Sequence, residues 1–110
     1  MNIQIFGKSK CFDTQKAQRW FKERRIKFQY IDLRRYGISR GELSSVKNAV
    51  GLSALVDEKD EDYPLYKYLS SDDARFEKLV EDQYLIRTPL VRNGRQATVG
   101  FQPETWKAWE

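Results

Sequence analysis

Histidine is absent from the 110-residue sequence, and cysteine occurs once, as Cys11. One thiol cannot close an internal disulfide, and a chain without histidine cannot assemble a zinc site of the usual Cys/His kind. The sequence therefore offers no metal site, and any chemistry at Cys11 has to proceed without an imidazole base. Long apolar runs are also missing. The longest stretches, such as "NAVGLSALV", are short and interrupted, which argues against a spanning helix or a signal peptide and for a soluble, cytoplasmic protein with no membrane partner. Nor does charge of one sign dominate. The 20 basic and 16 acidic residues leave +4 and a pI near 9.2. They are interleaved along the chain, as on a solvated surface, and no direct binding to nucleic acid is expected.

What is present is enough for one core. A chain that is 40% hydrophobic and 14% aromatic supports a single domain, 1–110, and is too short for two. "NIQIF" alternates Ile3 and Ile5 with polar neighbours and ends at Gly7, a short strand followed by a loop that carries Cys11. The period then becomes helical. Ala17, Trp20, Phe21 and Arg24 share one face, Asp13 or Thr14 caps the start, and Arg24 and Arg25 suit the end. "KFQYIDL" reads as a second strand, parallel to the first because a helix separates them.

Ser39 and Glu42 form a capping box for a helix carrying Leu43, Val46 and Val50, and Gly51 stops it. Two further helical patterns follow, one with Leu65 and Leu69, the other with Phe76, Leu79 and Val80, with "SSDD" as the break and cap between them. In "TPLVRNGRQATVGF", Asn93-Gly94 supplies the positive φ angles of a two-residue hairpin turn. A last helix begins at Pro103 and buries Trp106 or Trp109. "DEKDED", at positions 57 to 62, reads as an exposed loop.

The order is β-α-β, a helical insertion at about 39–84, then β-β-α. This α/β layout is that of a thioredoxin-like fold with a four-stranded mixed sheet. Four stretches, "IFGKSKCFDTQKA", Gly51 in "AVGLSAL", "LIRTPLV" and "VGFQPETW", make the whole chain resemble the ArsC/Spx family of arsenate reductase-like proteins and Spx transcription regulators. The resemblance implies that Cys11 is the nucleophile. Spx-type regulators carry a second cysteine three residues further on, where this chain has Thr14, so Cys-Phe-Asp-Thr is similar to a monothiol glutaredoxin site. It also implies a cis Thr88-Pro89 peptide facing Cys11. Arsenate reductases of the family place an arginine directly before that proline. Here Thr88 stands there with Arg87 one place earlier, and Asp57 and Gly100 or Phe101 occupy the other arginine positions, which speaks against arsenate as the substrate.

Thiolate is the reactive form of cysteine, and a helix N-terminus with nearby cations favours it. The helix after Cys11 and the adjacent Lys8, Lys10 and Lys16 are candidates to supply both. The substrate-binding candidates are Lys8, Lys10, Thr14, Arg87, Thr88 and Pro89. The Thr88 backbone would pair with an extended thiol such as glutathione, and Lys22, Arg24 and Arg25 could attract its carboxylates. The expected activity is a monomeric thiol-dependent reductase that holds no bound cofactor and uses glutathione or a glutaredoxin-type thiol as reductant. The alternative is an Spx-like regulator that docks on RNA polymerase.

Overall fold

The computed structural model describes all residues, 1–110. Its sheet runs β2-β1-β3-β4, with β1 at Ile3–Gly7, β2 at Phe28–Asp32, β3 at Leu90–Asn93 and β4 at Gln96–Val99. β1 pairs parallel to β2 (Ile5 opposite Tyr30) and antiparallel to β3 (Ile5 opposite Val91), and β3 pairs antiparallel to β4. This is the mixed four-stranded, thioredoxin-like architecture.

Alternation along β1 sends its side chains to two cores. Ile3 and Ile5 join Val91, Ala17, Trp20, Phe21 and Trp106 on the face covered by α1 (Phe12–Glu23) and α5 (Pro103–Ala108). Phe6 joins Leu90 and Val99 on the opposite face, against Leu43 and Val46 of α2 (Arg40–Val50) and Phe76 and Leu79 of α4 (Asp72–Glu81). Trp106 is the tryptophan that is fully buried, its Nε1 donating to Thr98 Oγ1 at 2.8 Å, while Trp109 is half-buried.

The capping box on α2 is complete, with Ser39 accepting from the Glu42 N–H and Glu42 from the Ser39 N–H. Gly51 ends the helix at φ 87° and ψ 152°, backbone that side-chain-bearing residues avoid. Ser71 caps α4 through the Ala74 N–H.

Three local readings shift. Neither Asp13 nor Thr14 caps α1; the N-cap is Cys11 itself, whose carbonyl accepts the Gln15 N–H at 3.2 Å. Asp13 lies in the first turn and Thr14 is turned inward, 1% exposed. The helix around Leu65 shortens to one turn, α3 at Tyr63–Lys67, docked through buried Tyr66, which stacks on Tyr63; Leu65 is exposed. In the hairpin, Asn93 remains in the strand opposite Gln96, so the two turn residues are Gly94 and Arg95 and only Gly94 has positive φ. Glycine at the first central position alone suits a II′ turn, whose twist matches the flanking strands.

The end of α1 holds its cations in a specific geometry. Arg24 is the C-cap, its guanidinium 3.9 Å from the centre of the Trp20 ring, and Arg25 takes φ 58°. The Ile26 N–H reaches Phe21 O at 3.0 Å and the Arg25 N–H reaches Lys22 O at 3.1 Å. Those two bonds make a Schellman motif with arginine where glycine is usual.

Candidate active site

β1 ends at Gly7, and the chain turns through Lys8–Lys10, closed by the Cys11 N–H to Lys8 O at 3.1 Å, before entering α1. This turn puts Cys11 at the helix N-terminus, beside the cis Thr88-Pro89 peptide that leads into β3. The Cys11 Sγ–H donates to Thr88 O at 3.6 Å, and the thiol is half-exposed. Thr88 is buried and its amide N–H has no partner within the chain.

The acidity of Cys11 reflects opposing effects. Partial burial pushes the thiol up, but hydrogen bonds from the Thr14 and Thr88 side chains and from the Thr14 and Asp13 backbone outweigh it, so the pKa falls below the ordinary 9.0. Thr14 Oγ1 is buried and has no hydrogen-bond partner, which leaves its hydroxyl free to turn to the thiolate. Of the lysines, Lys8 is the one whose ammonium interacts with the Cys11 charge, and the hydrogen bonds act more strongly than it does. Lys16 is exposed along α1 and away from the cleft, whereas Lys8 is built into it.

Lys8 Nζ donates to Tyr84 O at 2.7 Å and lies 4.0 Å from Asp57 Oδ2. Burial pushes its pKa down, opposed by the negative charges of Asp57, Asp60, Cys11 and Asp82.

Cys11 opens onto a cleft of about 820 Å³ that also contains Lys8, Lys10, Arg87 and Thr88. Of the remaining candidates, Thr14 lies under the thiol and Pro89 is buried behind it, its carbonyl accepting the Gly100 N–H at 2.9 Å. Lys22, Arg24 and Arg25 lie at the other end of α1, on the order of 17 Å along the helix. They are too distant to hold carboxylates of a ligand joined to Cys11.

The structure also recruits residues that the sequence reading passed over. Arg34 and Tyr84 line the cleft, with the Arg34 and Lys8 cations each 5.3 Å from the Tyr84 ring centre. Arg34 had one available signal, because it lies two residues after the end of β2, and α/β sites gather at the carboxyl ends of parallel strands. The 57–62 segment is more than a solvated loop, since Asp57, Glu58 and Lys59 form one wall. Gln83 fixes the geometry here. Its amide accepts from the Ile38 N–H at 2.9 Å and donates to Ile38 O at 2.8 Å, tying the loop after β2 to the turn that carries Tyr84.

No group of three or more His, Cys, Asp or Glu side chains is arranged to hold a metal ion, and no helix is long and apolar enough to cross a membrane. The arrangement supports nucleophilic chemistry at sulfur: a helix N-terminus and hydroxyls for the anion, and a cleft whose charged lining comprises five cations and three carboxylates.

The sequence profile of the ArsC family matches residues 6–109. YusI of Bacillus subtilis (strain 168) is 25% identical over 114 residues, covering 97% of both chains. The solved arsenate reductase from Vibrio cholerae is 28% identical with a TM-score of 0.83, over 96% of this chain and 94% of that one. An ArsC family related protein from Bacteroides fragilis superposes over 100% of both chains with a TM-score of 0.86 at 21% identity, a likeness of fold.

Proposed function

Because the chain belongs to the ArsC family, we propose that it is a thiol–disulfide oxidoreductase in which Cys11 is the nucleophile and glutathione, or another external thiol, is the reductant. The observation that carries this is the placement of a single acid-shifted thiol at a helix N-terminus, facing Thr88 in a cation-lined cleft. The Cys11 thiolate attacks one sulfur of an oxidised substrate, forms a new S–S bond to it and expels the other sulfur as thiolate. With no second cysteine in the chain, the adduct is resolved by attack of an external thiolate, which releases Cys11 and carries away the disulfide.

Thr14 and the first backbone N–H groups of α1 stabilise the Cys11 thiolate each time it is released. The unpaired Thr88 N–H is available to an extended thiol substrate such as glutathione. Family membership also raises arsenate, the substrate in the name of the Vibrio cholerae relative. The arginines of this cleft are Arg34 and Arg87, and the residue directly before the proline is Thr88. A tetrahedral oxyanion needs positioned donors around it, so a disulfide substrate is favoured here.

The test is turnover of the mixed disulfide of glutathione and 2-mercaptoethanol, coupled to glutathione reductase, alongside intact mass after incubation with oxidised glutathione. One glutathione adduct on the native chain, lost in Cys11→Ser, is expected. A chain labelled only after unfolding would overturn the reading.

A further inference from the structure

The Cys11 cleft continues into a second hollow of about 380 Å³, the two sharing Ser53, Val56 and Glu58. Between them the backbone presents an unused edge. Val56 and Ile86 form an isolated antiparallel bridge, closed by the Arg87 N–H to Leu55 O and the Asp57 N–H to Leu85 O, each at 2.7 Å. Because these two bonds flank the Val56–Ile86 pair, the Val56 N–H and C=O point away from the Ile86 segment. Neither has a hydrogen-bond partner in the chain. Unpaired main-chain groups in extended backbone are a template for another strand.

We propose that this edge binds an extended, acidic segment of a protein substrate, which adds as a short strand at Val56 while its disulfide-bonded cysteine reaches Cys11. The proposal rests on the thiol chemistry above and names its substrate class: a disulfide carried by a polypeptide rather than by a small thiol alone. Three features support that occupant. The unmet main-chain groups occur at two points, Thr88 beside the thiol and Val56 on the wall shared by the two hollows, an arrangement that serves a repeating peptide backbone. The charged lining around Cys11, five cations against three carboxylates, favours acidic side chains. The far hollow offers the stacked Tyr63–Tyr66 pair and Arg75, whose Nη2 donates to Lys67 O while its buried Nε has no partner.

Two measurements test this. First, kcat/KM is compared for glutathione in mixed disulfide with 2-mercaptoethanol and with the cysteine of an acidic extended peptide, in the wild type and in Ser53→Trp. Ser53 is exposed and lines both hollows, so tryptophan there obstructs the groove between them. A peptide preference of at least tenfold in the wild type, reduced to near parity in Ser53→Trp, is expected. Equal kcat/KM for both substrates in the wild type, or a peptide preference unchanged in Ser53→Trp, would overturn the proposal.

Second, the same peptide, activated as an aryl mixed disulfide, is trapped on wild-type Cys11 with release of the aryl thiolate, and amide exchange is followed by NMR. Protection of the Val56 N–H in the trapped complex is expected, and an unprotected Val56 amide would overturn the proposal even if Ser53→Trp failed to fold. Absence of any adduct at Cys11 with either substrate would remove the thiol reading itself, and this proposal with it. Small-substrate turnover without peptide preference would remove this proposal alone.

Discussion

Gly7 and Thr14 are packed so closely that a β-carbon on Gly7 would stand 2.8 Å from Thr14 Oγ1 and closer still to Thr14 Cγ2. The last residue of β1 thus makes room for the hydroxyl that serves Cys11. Gly7→Ala is expected to destabilise the fold by about 1–3 kcal/mol, the range of an overpacked core, and to raise the thiol pKa by displacing Thr14. Adding Thr14→Ala removes both clashing atoms, so the double variant should recover most of the stability while its thiol stays less acidic. Urea denaturation and iodoacetamide alkylation against pH separate the two effects. A double variant with wild-type alkylation would show that Thr14 does not act on the sulfur.

Alkylation of the wild type should have its midpoint below 9.0, because the folded thiol pKa is lowered. The sign for stability follows. The unfolded thiol holds its proton to higher pH, so Cys11 adds stability as pH rises from the folded pKa towards the unfolded value, and that contribution is lost as pH falls through the folded pKa. Cys11→Ser should flatten this rise in a series of urea melts. Thr14→Val should move the alkylation midpoint upwards with little loss of stability, since Oγ1 has no hydrogen-bond partner to forfeit.

Gln83→Leu removes the amide that meets both the N–H and the C=O of Ile38. Leaving part-buried backbone groups unpaired costs about 1–3 kcal/mol. The Gln83 contacts also join the loop containing Arg34 to the turn containing Tyr84, so KM for an anionic mixed disulfide should rise more than kcat falls. Unchanged steady-state kinetics in a destabilised variant would restrict Gln83 to a structural role.

Arg25→Gly should stabilise the protein by about 0.5–1 kcal/mol, because it relieves a β-carbon clash of about 1–2 kcal/mol at φ 58° that the greater chain entropy of glycine only partly offsets. The site lies at the opposite end of α1, so turnover should be unaffected. An unchanged or lower urea midpoint would mean that the arginine side chain compensates for its backbone.

Thr98→Val leaves the indole N–H of fully buried Trp106 without its acceptor at 2.8 Å. A thermal melt should show a loss of about 1–3 kcal/mol, with Cys11 alkylation unaltered.

The sequence by itself determined the elements and the identity of the thiol. The change from two-residue to helical period around Cys11, the Ser39–Glu42 box, the stop at Gly51 and proline at the start of α5 are encoded within a few residues of where they act, so local patterns reveal them. The single cysteine, with no histidine, likewise restricted the chemistry before any fold was known. Helix ends and the hairpin turn were less legible because Cys11 caps α1 with its backbone, and because Asn93 finds Gln96 opposite it in the ladder. Tertiary structure alone decided what surrounds the sulfur. Thr14 lies under it because Gly7 leaves the space, and Thr88 reaches it across 77 residues of sequence. Arg34, Asp57 and Tyr84 join the cleft only when the loop after β2 and the helical insertion close over the carboxyl ends of the parallel strands. Such proximities depend on packing between distant segments, and no periodicity in one segment records them.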